Sequence, residues 1–528
     1  MSGLMSKLFS RVSAAPTNPR PQVATKAFDV ADLYRGPADP QAVEGSERQP
    51  LDERLRQAYF WIVNTAIIST HYDIEFQDGP PTSFAIGDRR SLLSLPSAQS
   101  YSSFVLLPLL TFATQRKCLF VGGPGRGKTA SATLMGVLAG YPVREVRRAM
   151  QRGHPQMTVA DLLGQPLPSD LINADSVAKV RIAWRSWLAM RVKIIDEYNR
   201  IPTRTQSALL TLMGDNYAEL YDQIYECPPA AWYLTANDDA GGGTYQVVEA
   251  LRDRIDVIVQ ALSFNPRFLG ELVTRIEEDA RPESFVPREI LFNESEMREL
   301  SAQVRALPIP APVRRRLEFF AAQFEFMDLA AEQFEYKSKD TARLAGTDWN
   351  WLASLDDGRD RLKDLGCHVR NGLSVRNLLT LITYAKAMAW FRGMPEVTLD
   401  DLRQVLPFVL VDKLKPDLES PFFQSPERAP LKSDRIGWLR ALFDASCQEY
   451  DRLDLDRSDP VADLMGEVQR GLDGVEEAEA RQRLARIERE IARIAKGGKL
   501  YGPQYEDLLV LKSLHQRHSN YLRWLGGR

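Results

Sequence analysis

At 528 residues the chain is too long for one ordinary core, and its 44% hydrophobic and 26% charged composition is that of a soluble globular protein of several domains. With 67 basic against 70 acidic residues, the net charge of −3 creates no field that would draw it to nucleic acid or an anionic membrane. The longest apolar run, FVLLPLL at 104–110, is too short for a membrane span, and four scattered cysteines (Cys118, Cys227, Cys367, Cys447) argue for reduced thiols in the cytoplasm, against a disulfide framework or zinc knuckle.

Residues 1–50 read as a disordered tail rich in Pro, Ala, Gln and Gly. Their lack of acid before Asp29 is also the mark of an organelle transit peptide, but no long amphipathic face accompanies it. Order is expected from Leu51, where Leu55, Ala58, Trp61, Ile62 and Thr65 follow a helical spacing. The runs CLFV, VREV, VKIID and AWYLTA then read as strands between helices. Residues 51–264 are therefore expected to form an α/β core with a mostly parallel sheet and an N-terminal helical extension. From Asn265 the pattern turns to helices joined by Pro-rich turns, an all-α region over 265–416 with an extra segment at 330–368. PDLESPFFQSPERAP predicts a linker over 417–430, and 431–528 a C-terminal helical region. There Leu484, Ile487, Ile491 and Ile494 form an a/d seam, KGGK at 496–499 a turn, and QYEDLLVLKSLHQRHSNYLRWL a second helix. This is a coiled-coil-like hairpin, equally suited to packing on the main body or to meeting a partner.

The chemistry is concentrated in FVGGPGRGKTAS at 120–131. Gly122, Gly123, Pro124, Gly125, Arg126, Gly127, Lys128 and Thr129 satisfy G-x-x-x-x-G-K-[ST], with Ala130 opening the helix that follows. Glycines there let backbone N–H groups close on phosphate oxygens, aided by the positive end of the helix. Lys128 is expected at the β- and γ-phosphates, and the Thr129 hydroxyl on magnesium (Mg2+). A second acidic site ends the run RVKIIDEYNR. Asp196 is placed to hold the magnesium, and Glu197 to polarise the attacking water as a general base. The loop reads phosphates and not the base, so ATP is not distinguished from GTP on these residues.

The segment DEYNRIPTRTQSALLTLM resembles DE-x-NR-x-P-x-x-TQSALLEAM of the MoxR family of AAA+ ATPases. WYLTANDDAGGGTYQVVEALRDRID is similar to that family's run through ATQNP and GTYPLPEAQLDRF. GLSVRNLLTLITYAKAMAWFRGMPEVTLDDLRQVLPFVLVDKL resembles its lid. These matches run in the family's order from about Cys118 to Leu414. The resemblance implies an AAA+ P-loop core with an all-α lid, with Asn237 as the sensor-1 residue orienting the lytic water. It further implies Arg254 as an arginine finger, with Arg252 the runner-up, and Arg376 as a sensor-2 arginine coupling the lid to the γ-phosphate. Departures are LTANDDA for ATQNP, S-V-R for S-P-R, and the 330–368 insertion.

The resemblance also implies ATP and Mg2+ as cofactors, a homo-oligomeric, hexameric ring, and a chaperone-like hydrolase that remodels or activates a protein partner. Such ATPases act with a von Willebrand factor A domain protein. The nearest run to that domain's D-x-S-x-S signature here, DASCQ at 444–448, ends in the wrong residue, so that partner is expected on another chain. The alternatives are a nucleic-acid-directed motor of restriction type, for which no DNA-binding motif is found, and a nucleotide-switched signalling scaffold. His515 and His518 are expected to be a surface pair, Trp349 and Trp351 to anchor the insertion or form a platform, and RRAMQRGH and PVRRRLEFF to be solvated helix faces.

Overall fold

Period-two alternation divides each central strand between two cores, and that division builds the sheet. The computed structural model describes residues 49–526 except 88–90, 169–179, 238–246, 248, 279–280, 349–359, 361–362, 470 and 473. The expected tail, with Trp349 and Trp351, therefore lies almost wholly outside the described residues. Strands β1 (Lys117–Val121), β2 (Gln151–Arg152), β3 (Val192–Asp196), β4 (Ala231–Ala236) and β5 (Val257–Gln260) pair in parallel throughout, in the order β5-β1-β4-β3-β2. Cys118, Phe120, Val192, Ile194, Ala231, Tyr233, Val257 and Val259 enter one hydrophobic core. Leu119, Ile195, Trp232 and Leu234 enter the other. Burial on both faces is what a parallel sheet covered by helices requires, at about 1.5–3 kcal/mol for each large apolar side chain.

The run VREV is not a strand. It opens helix α4 (Val143–Ala149), entered through Pro142 and preceded in the chain by α1 (Leu51–Trp61), α2 (Ser103–Thr114) and α3 (Lys128–Leu138). Val143 and Val146 stand three apart on a face that meets α3, where a Cβ on Gly136 would fall 2.7 Å from Val146 Cγ1. The edge strand β2 comes instead from RRAMQRGH, expected as a solvated helix face. FVLLPLL lies within α2, every residue of which is buried. No helix among the described residues is long and apolar enough to cross a membrane.

Helices α5 (Thr203–Asp215) and α6 (Glu249–Asp253) complete the α/β layer. The all-α region follows with α7 (Glu294–Ala306), α8 (Ala311–Ala322), α9 (Val375–Phe391) and α10 (Leu399–Leu410). It shares the larger core with the sheet: Tyr384 OH and Thr111 Oγ1 are 2.7 Å apart, and Thr380 Oγ1 donates to Asp256 Oδ1 at 2.9 Å. In 417–430, expected as a linker, Phe422 and Phe423 are buried in that same core. So are Trp438, Leu439, Leu442 and Phe443 of α11 (Arg435–Arg452).

Helices α12 (Pro460–Gln469), α13 (Glu477–Ala495) and α14 (Gly502–Gly526) have a core of their own. Ile487 and Ile494 of the seam meet Leu508, Leu511 and Leu514 of α14, with Val461 and Leu464 of α12. This unit docks through Tyr505, whose ring lies 4.6 Å from Phe326, just before the extra segment, and 5.1 Å from Phe334 within it. His518 is buried with its Nδ1 at the Leu514 carbonyl, whereas His515 Nε2 lies 3.2 Å from Glu488, so the two are not a surface pair. The described residues include no cluster of three or more metal-ligating His, Cys, Asp or Glu.

Candidate nucleotide site

The carboxyl ends of β1, β3 and β4 bring three separate sequence motifs together, as open parallel sheets do for ligands. Gly122 to Gly127 link β1 to α3, and Gly127 caps that helix at φ 77°. Gly122, at φ 144°, passes so near the end of β5 that a Cβ would fall 2.8 Å from the Ala261 carbonyl oxygen. At Gly125 and Gly127 a Cβ would meet no atom within 4 Å, so the outer side of the loop is open. Pro124, Arg126 and Ala130 are exposed around it, with Arg126 Nη1 donating to the Ala261 carbonyl at 3.0 Å.

Lys128 is buried and directed back along the loop. Its ammonium donates to the carbonyl oxygens of Gly122 and Gly123, the latter at 2.7 Å, and to Asn237 Oδ1 at 2.9 Å. The other end of the same amide, Asn237 Nδ2, donates to Glu197 Oε1 at 3.0 Å. Asn237 thus bridges the lysine and the glutamate. Thr129 Oγ1 donates to Asp196 Oδ1 at 2.9 Å, joining α3 to the tip of β3. Hydroxyl and carboxylate lie side by side, a pair of hard oxygen donors suited to a hydrated Mg2+ that takes its remaining ligands from phosphate and water.

Three further residues, not named as site residues from the sequence, hold the two acids. Thr235 Oγ1, 1% exposed, donates to Asp196 Oδ1 at 2.6 Å and accepts the Glu197 N–H at 2.9 Å. Glu197 itself is left-handed, at φ 55°, a strained backbone for a residue with a Cβ. Gly153 closes against it: its N–H donates to the Asp196 carbonyl at 2.7 Å, and a Cβ there would collide with the Glu197 carbonyl oxygen. Arg200 Nη1 stands 3.2 Å from Glu197 Oε2. Thr235 was legible as the same-face neighbour of Asn237 in LTAN, and Arg200 as part of DEYNR; Gly153 carried no sequence signal.

The three candidate arginines lie at the other edge of the sheet. Arg252 and Asp253 are in α6, Arg254 follows it, and β5 begins three residues later. Asp256 Oδ2 accepts the N–H of Lys117, the first residue of β1, at 2.9 Å. Burial pushes the Lys117 ammonium down, Asp256 pulls it up, and the charges of Arg116, Arg376 and Arg254 push it down again. Arg252 Nε donates to Asp412 Oδ2 at 2.9 Å, and Arg376 Nη1 to Asp253 Oδ2 at 2.6 Å. Arg254 Nη1 reaches only the Ala250 carbonyl, at 3.1 Å, and of the three it has no carboxylate partner among the described residues. A five-residue strand spans about 13 Å at ~3.3 Å per residue, which separates these arginines from the phosphate loop of their own chain.

A phosphate-loop motif after the first strand of a parallel sheet ordered 5-1-4-3-2, with an all-α region behind it, is the AAA+ fold. The AAA lid domain family model matches residues 367–433. Protein MoxR of Paracoccus denitrificans is 24% identical over 362 residues, covering 65% of this chain and 89% of its own. A solved structure described as a "putative ATPase" of Cytophaga hutchinsonii ATCC 33406 is 18% identical, with a TM-score of 0.44, covering 64% of this chain and 89% of that one. The chain is thus similar to MoxR over about two thirds of its length and carries a match to the AAA lid domain.

Proposed function

We propose that the chain hydrolyses ATP within a ring of identical subunits and uses the cycle to remodel or activate a protein partner. The observation that carries this reading is the division of the machinery between the two edges of one sheet. The phosphate loop, Asp196, Glu197 and Asn237 lie at the carboxyl edge, Arg254 and Arg376 at the amino edge. A nucleotide bound at the first edge acquires those arginines only from the second edge of another copy. Arg254, without a carboxylate partner among the described residues, is the finger on this reading, and Arg252, paired with Asp412, is not.

The residues take roles that follow from their contacts. The loop amides from Gly122 to Ala130 bind the phosphates, and Lys128 moves its donors from the loop carbonyls to phosphate oxygens. Thr129 and Asp196 hold Mg2+, which when bound neutralises charge on the β- and γ-phosphates. Glu197 accepts the proton of the attacking water, with Asn237 fixing one carboxylate oxygen and Arg200 facing the other. The division into core 51–264, lid 265–416 and C-terminal helices is part of the proposal, as are a six-membered ring, cytoplasmic placement and a von Willebrand factor A domain partner.

Two variants test it through nucleotide binding and phosphate release. Lys128→Ala is expected to lose ATP binding. Glu197→Gln is expected to bind ATP and lose two to four decades of turnover, roughly 3–5 kcal/mol. Wild-type turnover by Glu197→Gln removes that residue from the mechanism. Specific activity that stays constant on dilution through ring dissociation removes the shared site.

A further inference from the structure

Helix α6 has five residues, too few to be stable alone, so its neighbours decide where Arg254 lies. Its apolar side is anchored by Leu251, fully buried, while the Arg254 side chain packs against Gly214 near the end of α5. Its polar side is held from the lid. Asp412 accepts from Arg252, by Nε at 2.9 Å and by Nη2. Lys413 Nζ donates to the Arg252 carbonyl, and Lys415 Nζ to Glu249 Oε1 at 3.2 Å. Arg376, at the start of α9, donates to Asp253 at 2.6 Å. Three of these four lid residues belong to the single turn 412–415 after α10, and α10 is itself packed into the main core.

We propose that the 412–415 turn positions the arginine finger, so that the lid of one subunit sets the Arg254 that it lends to the next. This rests on the reading above that Arg254 acts across a subunit boundary. Asp412 is the principal positioning residue. Its two oxygens take the fork of the Arg252 guanidinium, a geometry that fixes orientation as well as distance. It also neutralises the cation nearest in sequence to Arg254, as Asp253 does for Arg376, leaving Arg254 as the arginine of the three with no carboxylate partner among the described residues.

Mixed rings of full-length subunits test this, because a positioning role predicts an effect on one side of the interface only. Glu197→Gln subunits keep a finger but lack a working site; Arg254→Ala subunits keep the site but lack a finger. Their mixture is expected to recover turnover. Asp412→Ala added to the finger-donating Glu197→Gln subunit should remove about 90% or more of that recovery, since a misplacement of ~1 Å can cost ~100-fold. Added to the Arg254→Ala subunit, it should leave the recovery within about twofold. Equal loss on both sides, or no loss on either, overturns the proposal while leaving the shared site intact. No recovery in the parent mixture overturns the shared site itself, and the positioning role with it. If Asp412→Ala rings do not assemble, Asp412→Asn is used with the same one-sided criterion.

Discussion

Thr235 joins the two catalytic candidates more directly than any motif residue, and Thr235→Val isolates that link. Valine keeps the shape of the side chain and removes its hydroxyl, so the donor to Asp196 at 2.6 Å and the acceptor of the Glu197 N–H at 2.9 Å both disappear. Asp196 retains Thr129, whereas the Glu197 N–H has no other acceptor among the described residues and its backbone is already at φ 55°. An unsatisfied buried donor costs ~1–3 kcal/mol, and a hydrogen bond to a charged group is worth ~1.5–3 kcal/mol. If that energy is lost where Glu197 meets the water, turnover falls about 10- to 100-fold at ~1.36 kcal/mol per decade. Nucleotide affinity rests on Lys128 and the loop amides, which Thr235 does not touch, and should change by less than about threefold. Steady-state phosphate release and a binding titration on the same preparation separate the two, and Thr235→Ser should restore most of the rate. Unchanged turnover by Thr235→Val, or an affinity loss as large as the rate loss, would refute the reasoning.

Two further substitutions probe the surroundings. Gly153→Ala should lower turnover at least about tenfold with nucleotide binding retained, because its Cβ would displace the Glu197 carbonyl; a wild-type rate would show that this backbone position is not needed. Lys193 is 1% exposed in β3, donates to the Met190 carbonyl at 2.8 Å, and is pushed by burial to a pKa of about 8. The unfolded chain then binds more protons than the folded one between about pH 8 and its ordinary value of 10.5, so stability from this group rises with pH across that window. Lys193→Met should add ~1–3 kcal/mol at pH 7 and remove that rise, as read from denaturant midpoints at pH 7.5 and 9.5; a midpoint that still rises identically would assign the dependence elsewhere.

The sheet and the grouping of the candidate site residues were legible because their signals are local. CLFV and AWYLTA alternate between two cores within a few residues, Asp196, Glu197 and Asn237 sit at or next to the end of a strand, and Lys128 and Thr129 open the helix after the glycine loop. VREV misled because its two valines are three apart, a spacing that suits an α-helix after Pro142 as well as it suits β-branched composition. Strand β2 was hidden by the opposite cause: Gln151 and Arg152 carry no β signal, and they pair only because Gly153 lets the chain pass the Glu197 carbonyl. Here tertiary contact overrides local preference.

The tail shows the same limit at larger scale. Proline-rich composition made 417–430 read as a linker, yet Phe422 and Phe423 are core residues, and the Phe423 ring lies 6.0 Å from that of Trp438 in α11. Periodicity did identify the α13–α14 seam, since Ile487 and Ile494 repeat along one helix. It could not assign α11 to one core and α12 to another, because both are amphipathic and only their partners differ. The same holds for the arginines. Sequence order places Arg252, Arg254 and Arg376 in recognisable motifs, but that they gather at the edge opposite the phosphate loop follows from strand direction and from the lid packing back on β5. A site divided in this way has its chemistry written in local motifs and its completion written in long-range contacts, such as Asp412 with Arg252 and Thr380 with Asp256.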